Sequence, residues 1–223
     1  MPSRVKTTRV DKAYARLKAE ILNGELPPGF QAPEPDIAGR LGMSRTPVRE
    51  ALIRLEAERL VDLIPRRGAK ILPISKKDIC EIFEILAVLE ALAASSAAKL
   101  SPDEELLSEI DMAITEAEEA QTRCDMESWA LIDDRIHKLV ARAGGNTRLE
   151  LEIVNLLNQV FRANSVLLRM NKAPASNAED HRRILEAVRA GQAEKASEIA
   201  RMHRLSGLVT MEKVLQTCGL SHV

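Results

Sequence analysis

Four residues in the second half of the chain have the types and spacing of a metal site. Asp133 and His137 stand four apart in a helical stretch, which puts both on one face. His181 lies ten residues before Gly191 and His203 twelve after it, flanking the Ala190-Gly191 turn of an antiparallel helix pair. At a rise of ~1.5 Å per residue both stand roughly 15–18 Å from the turn, so they are level and can face each other. Three imidazoles and one carboxylate suit zinc, nickel or manganese, with positions left for water or a ligand. Spacing alone leaves alternatives open. Asp134, three residues from His137, is a rival ligand, and scattered histidines are often simply hydrogen-bonded or exposed. His222 stands near the chain end, outside the pattern.

A second set lies in the stretch "GMSRTPVREALIRLEAERL", residues 42–60. A helix beginning at Arg45 carries Arg45 and Arg49 one turn apart, with Ser44 and Thr46 beside them. The N-terminal end of a helix is the positive end of its dipole and disfavours cations. DNA resolves the conflict, because its phosphates bind helix N-termini and its charge offsets the arginines. Each arginine could make a bidentate contact to guanine, and Ser44 and Thr46 could bind phosphate or cap the helix. Arg66, Arg67 and Gly68 suit the neighbouring DNA backbone or minor groove.

The elements that must position these residues can be read from periodicity. Tyr14, Leu17, Ile21 and Leu22 predict a helix over about 10–23, ended by Gly24 and "ELPPGF". A short helix fits 35–41, Gly42-Met43-Ser44 makes a turn, and the next helix runs to about 59 with Val48, Leu52 and Leu55 inward. "LVDLI", "PRRG" and "AKILP" read as a two-stranded hairpin with Gly68 in its tip. Three helices and a hairpin make a winged helix-turn-helix. From Lys76 onward six helices are predicted, at about 76–98, 103–122, 126–142, 146–170, 176–189 and 193–216. Ser75 to Asp78 and Ser101 to Glu104 read as capping boxes. The fold class is therefore mainly α, with a DNA-binding module at 1–75 and a six-helix antiparallel bundle at 76–223 for ligand binding, metal binding and dimerisation.

Charge divides along the same line. Residues 1–75 hold 14 Lys+Arg against 9 Asp+Glu, a net +5, while the remainder holds 18 against 24, a net −6. A basic module beside an acidic one implies a polyanion partner for the first only. Aromatic residues make up 2% of the chain, which excludes stacking platforms for single-stranded nucleic acid. "MPSRVKTTRV" has no apolar core of a signal peptide, and no apolar run approaches a membrane span. Cys80, Cys124 and Cys218 are far apart and in no CxxC pair, so a reducing cytoplasm is expected.

These stretches resemble a known family. "ILNGELPPGFQAPEPDIAGRLGMSRTPVREALIRLEAERLV" and "RRGAKI" are similar to the DNA-binding domain of GntR-type bacterial transcription regulators. The resemblance implies DNA contacts from Arg45, Thr46 and Arg49, with Gly68 in the wing. Many members carry an arginine where this chain has Pro35, so one contact is expected to be missing. "FEILAVLEALAASSAA", "DDRIHKLVARAGGN", "EDHRRILEAVRAGQAEKA" and "MHRL" resemble the helical FCD effector domain of the FadR subfamily, in its shorter VanR-like branch. That resemblance places metal ligands on Asp133, His137, His181 and His203. Many members also have an arginine at the position of Leu86 that meets the effector's carboxylate, and this chain lacks it.

The expected function is a homodimeric, sequence-specific regulator, a repressor, that reads a palindromic operator in double-stranded DNA. A small carboxylate bound at the divalent metal modulates it, through the short linker Pro73-Ile74-Ser75. A polar stripe of Asn155, Asn158, Arg162, Ser165 and Arg169 at 3–4 residue spacing offers Arg162, Asn158 and Ser165 to that acid, or else forms a solvated face. Two alternatives remain: a regulator with a purely structural metal, and a metal-dependent enzyme targeted by the DNA-binding module. The enzyme reading lacks HExxH or a comparable paired base.

Overall fold

The computed structural model describes residues 7–169 and 178–222. The chain divides into two compact units, Met1–Ile74 and Ser75–Val223.

In the first unit α1 spans Arg9–Leu22, β1 Gln31–Ala32, α2 Glu34–Leu41, α3 Arg45–Ala57, β2 Val61–Ile64 and β3 Gly68–Ile71. Thr8 opens α1 with a reciprocal cap, accepting from the Asp11 N–H while Asp11 accepts from the Thr8 N–H. Gly42, in the left-handed region, closes α2 and turns the chain into α3. The buried faces of the three helices meet: Leu17 and Ile21, Ile37 and Leu41, and Val48, Leu52 and Leu55 form one core with Val61 and Ile71. Each such side chain contributes roughly 1.5–3 kcal/mol by leaving water. The end of α3 falls at Ala57 rather than 59, because Arg59 turns to a φ of +56° and the Leu60 N–H donates to Leu55 O at 3.0 Å. The sheet has three strands, not two, in the order β1-β3-β2, all antiparallel. Two-residue β1 has no alternating pattern to announce it; only pairing with β3 makes it a strand.

Among the described residues the second unit is built of helices: α4 Lys76–Leu100, α5 Glu104–Thr122, α6 Met126–Ala143, α7 Thr147–Arg169, α8 Ala178–Arg189 and α9 Ala193–Cys218. The expected helix limits at 170 and 176 lie outside the described residues. Ser75 caps α4 in the expected box. At α5 the expected box from Ser101 does not form. Ser101 instead ends α4 in a left-handed conformation, and Asp103 caps α5, accepting from the Leu106 N–H at 2.8 Å. The core is rich in alanine, with Ala94, Ala97, Ala113, Ala117, Ala120 and Ala196 almost wholly buried, so the helix backbones approach closely. Larger side chains, Ile110, Ile114, Ile136 and Leu185, fill the spaces between them. Arg182 of α8 ties to α5 through Glu118 and Asp111. The Lys76 N–H donates to Ser221 O at 3.0 Å, so the chain end returns to the start of α4, and exposed His222 lies there, away from the other histidines.

Candidate functional site

Among the described helices, only α3 lacks both a side-chain cap and an acidic residue in its first turn. Thr8, Ser75, Asp103 and Asp125 all cap their helices with side-chain hydrogen bonds. Ser44 stands at the N-cap of α3 and makes none, and the first turn holds no acidic residue. The positive end of the dipole therefore faces solvent uncompensated, flanked by exposed Ser44, Arg45, Thr46 and Arg49. Three other arginines of this unit are already committed: Arg16 and Arg40 to Glu20, and Arg54 to Asp11. One groove is lined by Arg45, Arg49 and Ile53 of α3, Glu34 and Pro35 of α2, and Ile64, Arg66 and Gly68 of the hairpin. Arg67 is exposed beside it. Gly68 has a further constraint. Its φ is +86°, and a Cβ there would lie 2.1 Å from Ala32 O and 2.5 Å from Pro33 Cα. Only glycine lets β3 pass β1 at this point.

The histidine cluster lies in the second unit. His137 is on α6, His181 on α8 and His203 on α9, all buried, and one donor atom from each lies within 4.8 Å of the others. His137 Nε2 is 3.4 Å from His181 Nε2. Asp133 of α6 completes the group, its carboxylate 3.7 Å from His137 Nε2 and 3.8 Å from His181 Nε2. A tetrahedral ion with bonds of about 2.0–2.1 Å requires donors about 3.3–3.4 Å apart. The His137–His181 separation matches this, and the two Asp133 distances exceed it by a few tenths of an ångström. Asp134, the rival, is instead paired with Lys138 one turn along α6.

Electrostatics prepare the donors. Burial, followed by the neighbouring imidazoles, pushes His181 well below the ordinary histidine range. Burial and His137 bring His203 down to about 3, so both rings are neutral at pH 7. Burial raises the pKa of Asp133, against the pull of His137. Two further carboxylates stand behind the rings. Glu90 Oε1 is 3.2 Å from His137 Nδ1, and Asp180 Oδ2 is 3.5 Å from His203 Nδ1. Carboxylates in this position orient imidazoles and fix the tautomer that leaves the other nitrogen free to bind. Glu90 is itself held by Arg204, whose Nε and Nη2 donate to its two oxygens at 2.7 and 2.6 Å. Burial alone would raise the Glu90 pKa, but Arg204 and His137 outweigh it and hold the carboxyl well below its usual range.

A small cavity, partly continuous with solvent, adjoins the cluster. Asp133, His137 and His203 line it together with Asp134, Arg204, Phe83, Trp129, Phe161, Asn164 and Thr210. From α7 its wall is Leu157, Val160, Phe161 and Asn164. The expected ligand residues of α7 are placed otherwise. Asn158 is buried with its Oδ1 3.5 Å from Lys138 Nζ, Arg162 is buried and brought down to about 10 by desolvation, and Ser165 donates back to Phe161 O at 2.9 Å. None of the three lines the cavity. Leu86, fully buried on α4, does not line it either; the guanidinium there comes from Arg204 on α9. Asn164 Oδ1 is buried without a hydrogen-bond partner.

Sequence reasoning missed Glu90, Asp180, Arg204 and the cavity aromatics. Signals existed for three of them. Glu90 is the only charge in the run 85–98, while Asp180 and Arg204 adjoin His181 and His203.

Comparison with known proteins settles the class. Residues 9–71 match the family "Bacterial regulatory proteins, gntR family", and residues 81–206 match the FCD domain. The chain belongs to the GntR family of bacterial transcription regulators. It resembles an uncharacterised HTH-type transcriptional regulator of Agrobacterium vitis, 41% identical over 60% of this chain and 81% of that one. It also resembles the transcriptional repressor GlaR of Escherichia coli, 27% identical over 91% of this chain and 95% of that one. In fold it matches the solved structure of E. coli McbR/YncC, with a TM-score of 0.77, covering 92% and 98% of the two chains at 21% identity. This GntR-family chain is a DNA-binding transcription regulator rather than an enzyme. Among the described residues no helix is long and apolar enough to cross a membrane.

Proposed function

We propose that the protein is a cytoplasmic, homodimeric repressor whose hold on its operator is modulated by a small organic acid bound beside a divalent metal. Residues 1–75 bind the DNA and residues 76–223 hold metal and acid and form the dimer. The supporting observation is the convergence of His137, His181 and His203 on the wall of a cavity, with Asp133 beside them. Asp133, His137, His181 and His203 hold the metal, oriented by Glu90 and Asp180. The metal supplies positive charge to a cavity that otherwise carries two carboxylates, Asp133 and Asp134, and so admits an anion. Asn164 is the polar group placed to orient the acid, in place of Arg162, Asn158 and Ser165. Repression follows the name of GlaR.

DNA is read by the uncapped start of α3. Arg45 and Arg49 contact bases, Ser44 and Thr46 take phosphate, and Arg66, Arg67 and Gly68 follow the adjacent backbone. A second copy is needed to read a palindrome with tight affinity. Ile85, Val88 and Leu92 form an exposed apolar stripe on α4, and Met202 and Val209 are exposed on α9, which packs along α4. A partner copy covering these residues would remove exposed apolar side chains of both helices from water.

The test is operator binding, followed by fluorescence anisotropy on DNA selected from a randomised pool. Zinc-loaded protein and the His181→Ala variant are titrated with a set of carboxylates. An acid that changes operator affinity of the first and not of the second supports the reading. Equal responses of both proteins to every acid contradict it, because a ligand switches a protein only by distinguishing its states.

A further inference from the structure

Among the described residues of the first unit, Ile53 is the one large apolar side chain left open to solvent, at 49% exposure. The exposed positions of α3 before it, Arg45, Thr46, Arg49 and Glu50, are all polar or charged. Packing does not account for an isoleucine here, because α3 joins the core through Val48, Leu52 and Leu55, and Ile53 is outside that core. It follows Arg49 by four residues and Arg45 by eight, so the three form one stripe along the helix. We infer that Ile53 is a specificity residue that meets the 5-methyl group of one thymine in each half-site of the operator. The inference rests on the reading above that α3 enters the major groove, and adds a base to what that helix reads.

Position and chemistry both narrow the partner. Ile53 lines the same groove as Arg45, Arg49 and Arg66, and Glu34 is the only other charged residue of its wall. Three arginines against one glutamate make the groove positive, so the surface that closes over Ile53 is a polyanion rather than an apolar protein face. At a rise of ~1.5 Å per residue, Ile53 stands about 12 Å along the axis from Arg45. Reading helices contact bases over a comparable span of about two turns. Isoleucine has no donor or acceptor, so it pairs neither with a phosphate nor with the hydrogen-bonding groups of a base edge. The thymine methyl is the apolar group that distinguishes one base pair from another in the major groove. An amino group or a carbonyl oxygen set against the same side chain loses its water with no partner in return, so Ile53 also disfavours the other bases at that position.

Full-length protein and its Ile53→Ala and Ile53→Val variants are titrated by fluorescence anisotropy against an operator selected from a randomised pool. Each thymine of the operator is replaced in turn by deoxyuridine, which removes the methyl and leaves the hydrogen-bonding edge unchanged. One thymine per half-site is expected at which uracil weakens binding of the parent about three- to fourfold, the effect of returning one methyl contact to water. The same exchange should leave Ile53→Ala unaffected, while Ile53→Val keeps part of the penalty. Ile53→Ala should itself bind the unmodified operator more weakly by a similar factor per half-site. Its urea unfolding should follow the parent's closely, because the side chain is half-exposed and outside the core. A uracil penalty of equal size in parent and Ile53→Ala, or no penalty at any thymine, while Arg49→Ala still weakens binding, overturns the role of Ile53 and leaves α3 as the reading helix. Unchanged specific affinity in Arg49→Ala, together with no penalty that depends on Ile53, overturns the reading on which the inference rests.

Discussion

Arg204 holds both oxygens of Glu90, and the same Glu90 carboxylate reaches His137 Nδ1 at 3.2 Å. A buried ion pair on α4 and α9 is thus coupled to an imidazole on α6. Removing one partner strands a buried charge, so Arg204→Ala is expected to cost about 3–5 kcal/mol of unfolding free energy. Replacing both, Glu90→Leu with Arg204→Met, is expected to recover most of that loss, because a well-packed apolar pair substitutes for a buried ion pair. Metal affinity should not recover, and should remain about 10–100-fold weaker, since His137 has lost its orienting carboxylate. Urea unfolding and zinc titration of the two variants check this. Recovery of both properties together would separate Glu90 from the metal site.

Acid should weaken the metal-free protein. Above about pH 6.5 His181 and His203 are neutral in both folded and unfolded chains and contribute no pH dependence. Below it the unfolded chain binds their protons, while the folded chain, with His203 at about 3 and His181 also depressed, does not. Stability therefore falls as pH falls from 6.5, by about 1 kcal/mol per pH unit for each histidine. The raised pKa of Asp133 acts oppositely, since the folded chain takes up that proton first, and offsets part of the loss in the more acidic range. Thermal melts of chelator-treated protein between pH 7.5 and 5 measure the slope. His203→Gln should flatten it, and an equal slope in that variant would contradict the assignment.

Arg49→Ala should reduce affinity for the selected operator by about 1–3 kcal/mol if its side chain makes a bidentate base contact. Affinity should also fall steeply with salt, by nearly one unit in the log–log slope per phosphate neutralised. Anisotropy titrations at several salt concentrations read both effects. Unchanged specific affinity would remove α3 as the reading helix.

Gly68→Ala should damage the wing rather than a DNA contact. The added Cβ meets Ala32 O at 2.1 Å in a backbone with φ +86°, so β1 and β3 must part. A loss of about 1–3 kcal/mol or more in stability is expected, visible in unfolding without DNA present. A variant as stable as the parent but deficient in DNA binding would reverse this view of the residue.

The parts of the structure legible in the sequence were those with local causes. Gly42, the Ser75 cap and the spacing of Val48, Leu52 and Leu55 fix helices through nearby residues, and the helix limits follow closely. The level placement of His181 and His203 was readable because one turn sets both distances. Strand β1 was not readable, since two residues carry no period. Nor was the facing of α7, which has apolar residues on more than one side: Leu156 is half-buried while Leu157 is buried, and Arg162 is buried where a polar stripe would be solvated. Glu90 stayed hidden because its partners, Arg204 and His137, are supplied by helices distant in sequence.

The most direct test of the account is the metal content of untagged protein purified without a nickel column, measured together with its melting temperature before and after EDTA. The ligands come from α6, α8 and α9, so a bound ion ties three helices together and stabilises the fold by linkage. One divalent ion per chain, a fall in melting temperature of several degrees on chelation, and loss of both in His181→Ala are expected. Substoichiometric metal with an unchanged melting temperature in EDTA would contradict the account and leave the three histidines as buried, mutually packed side chains.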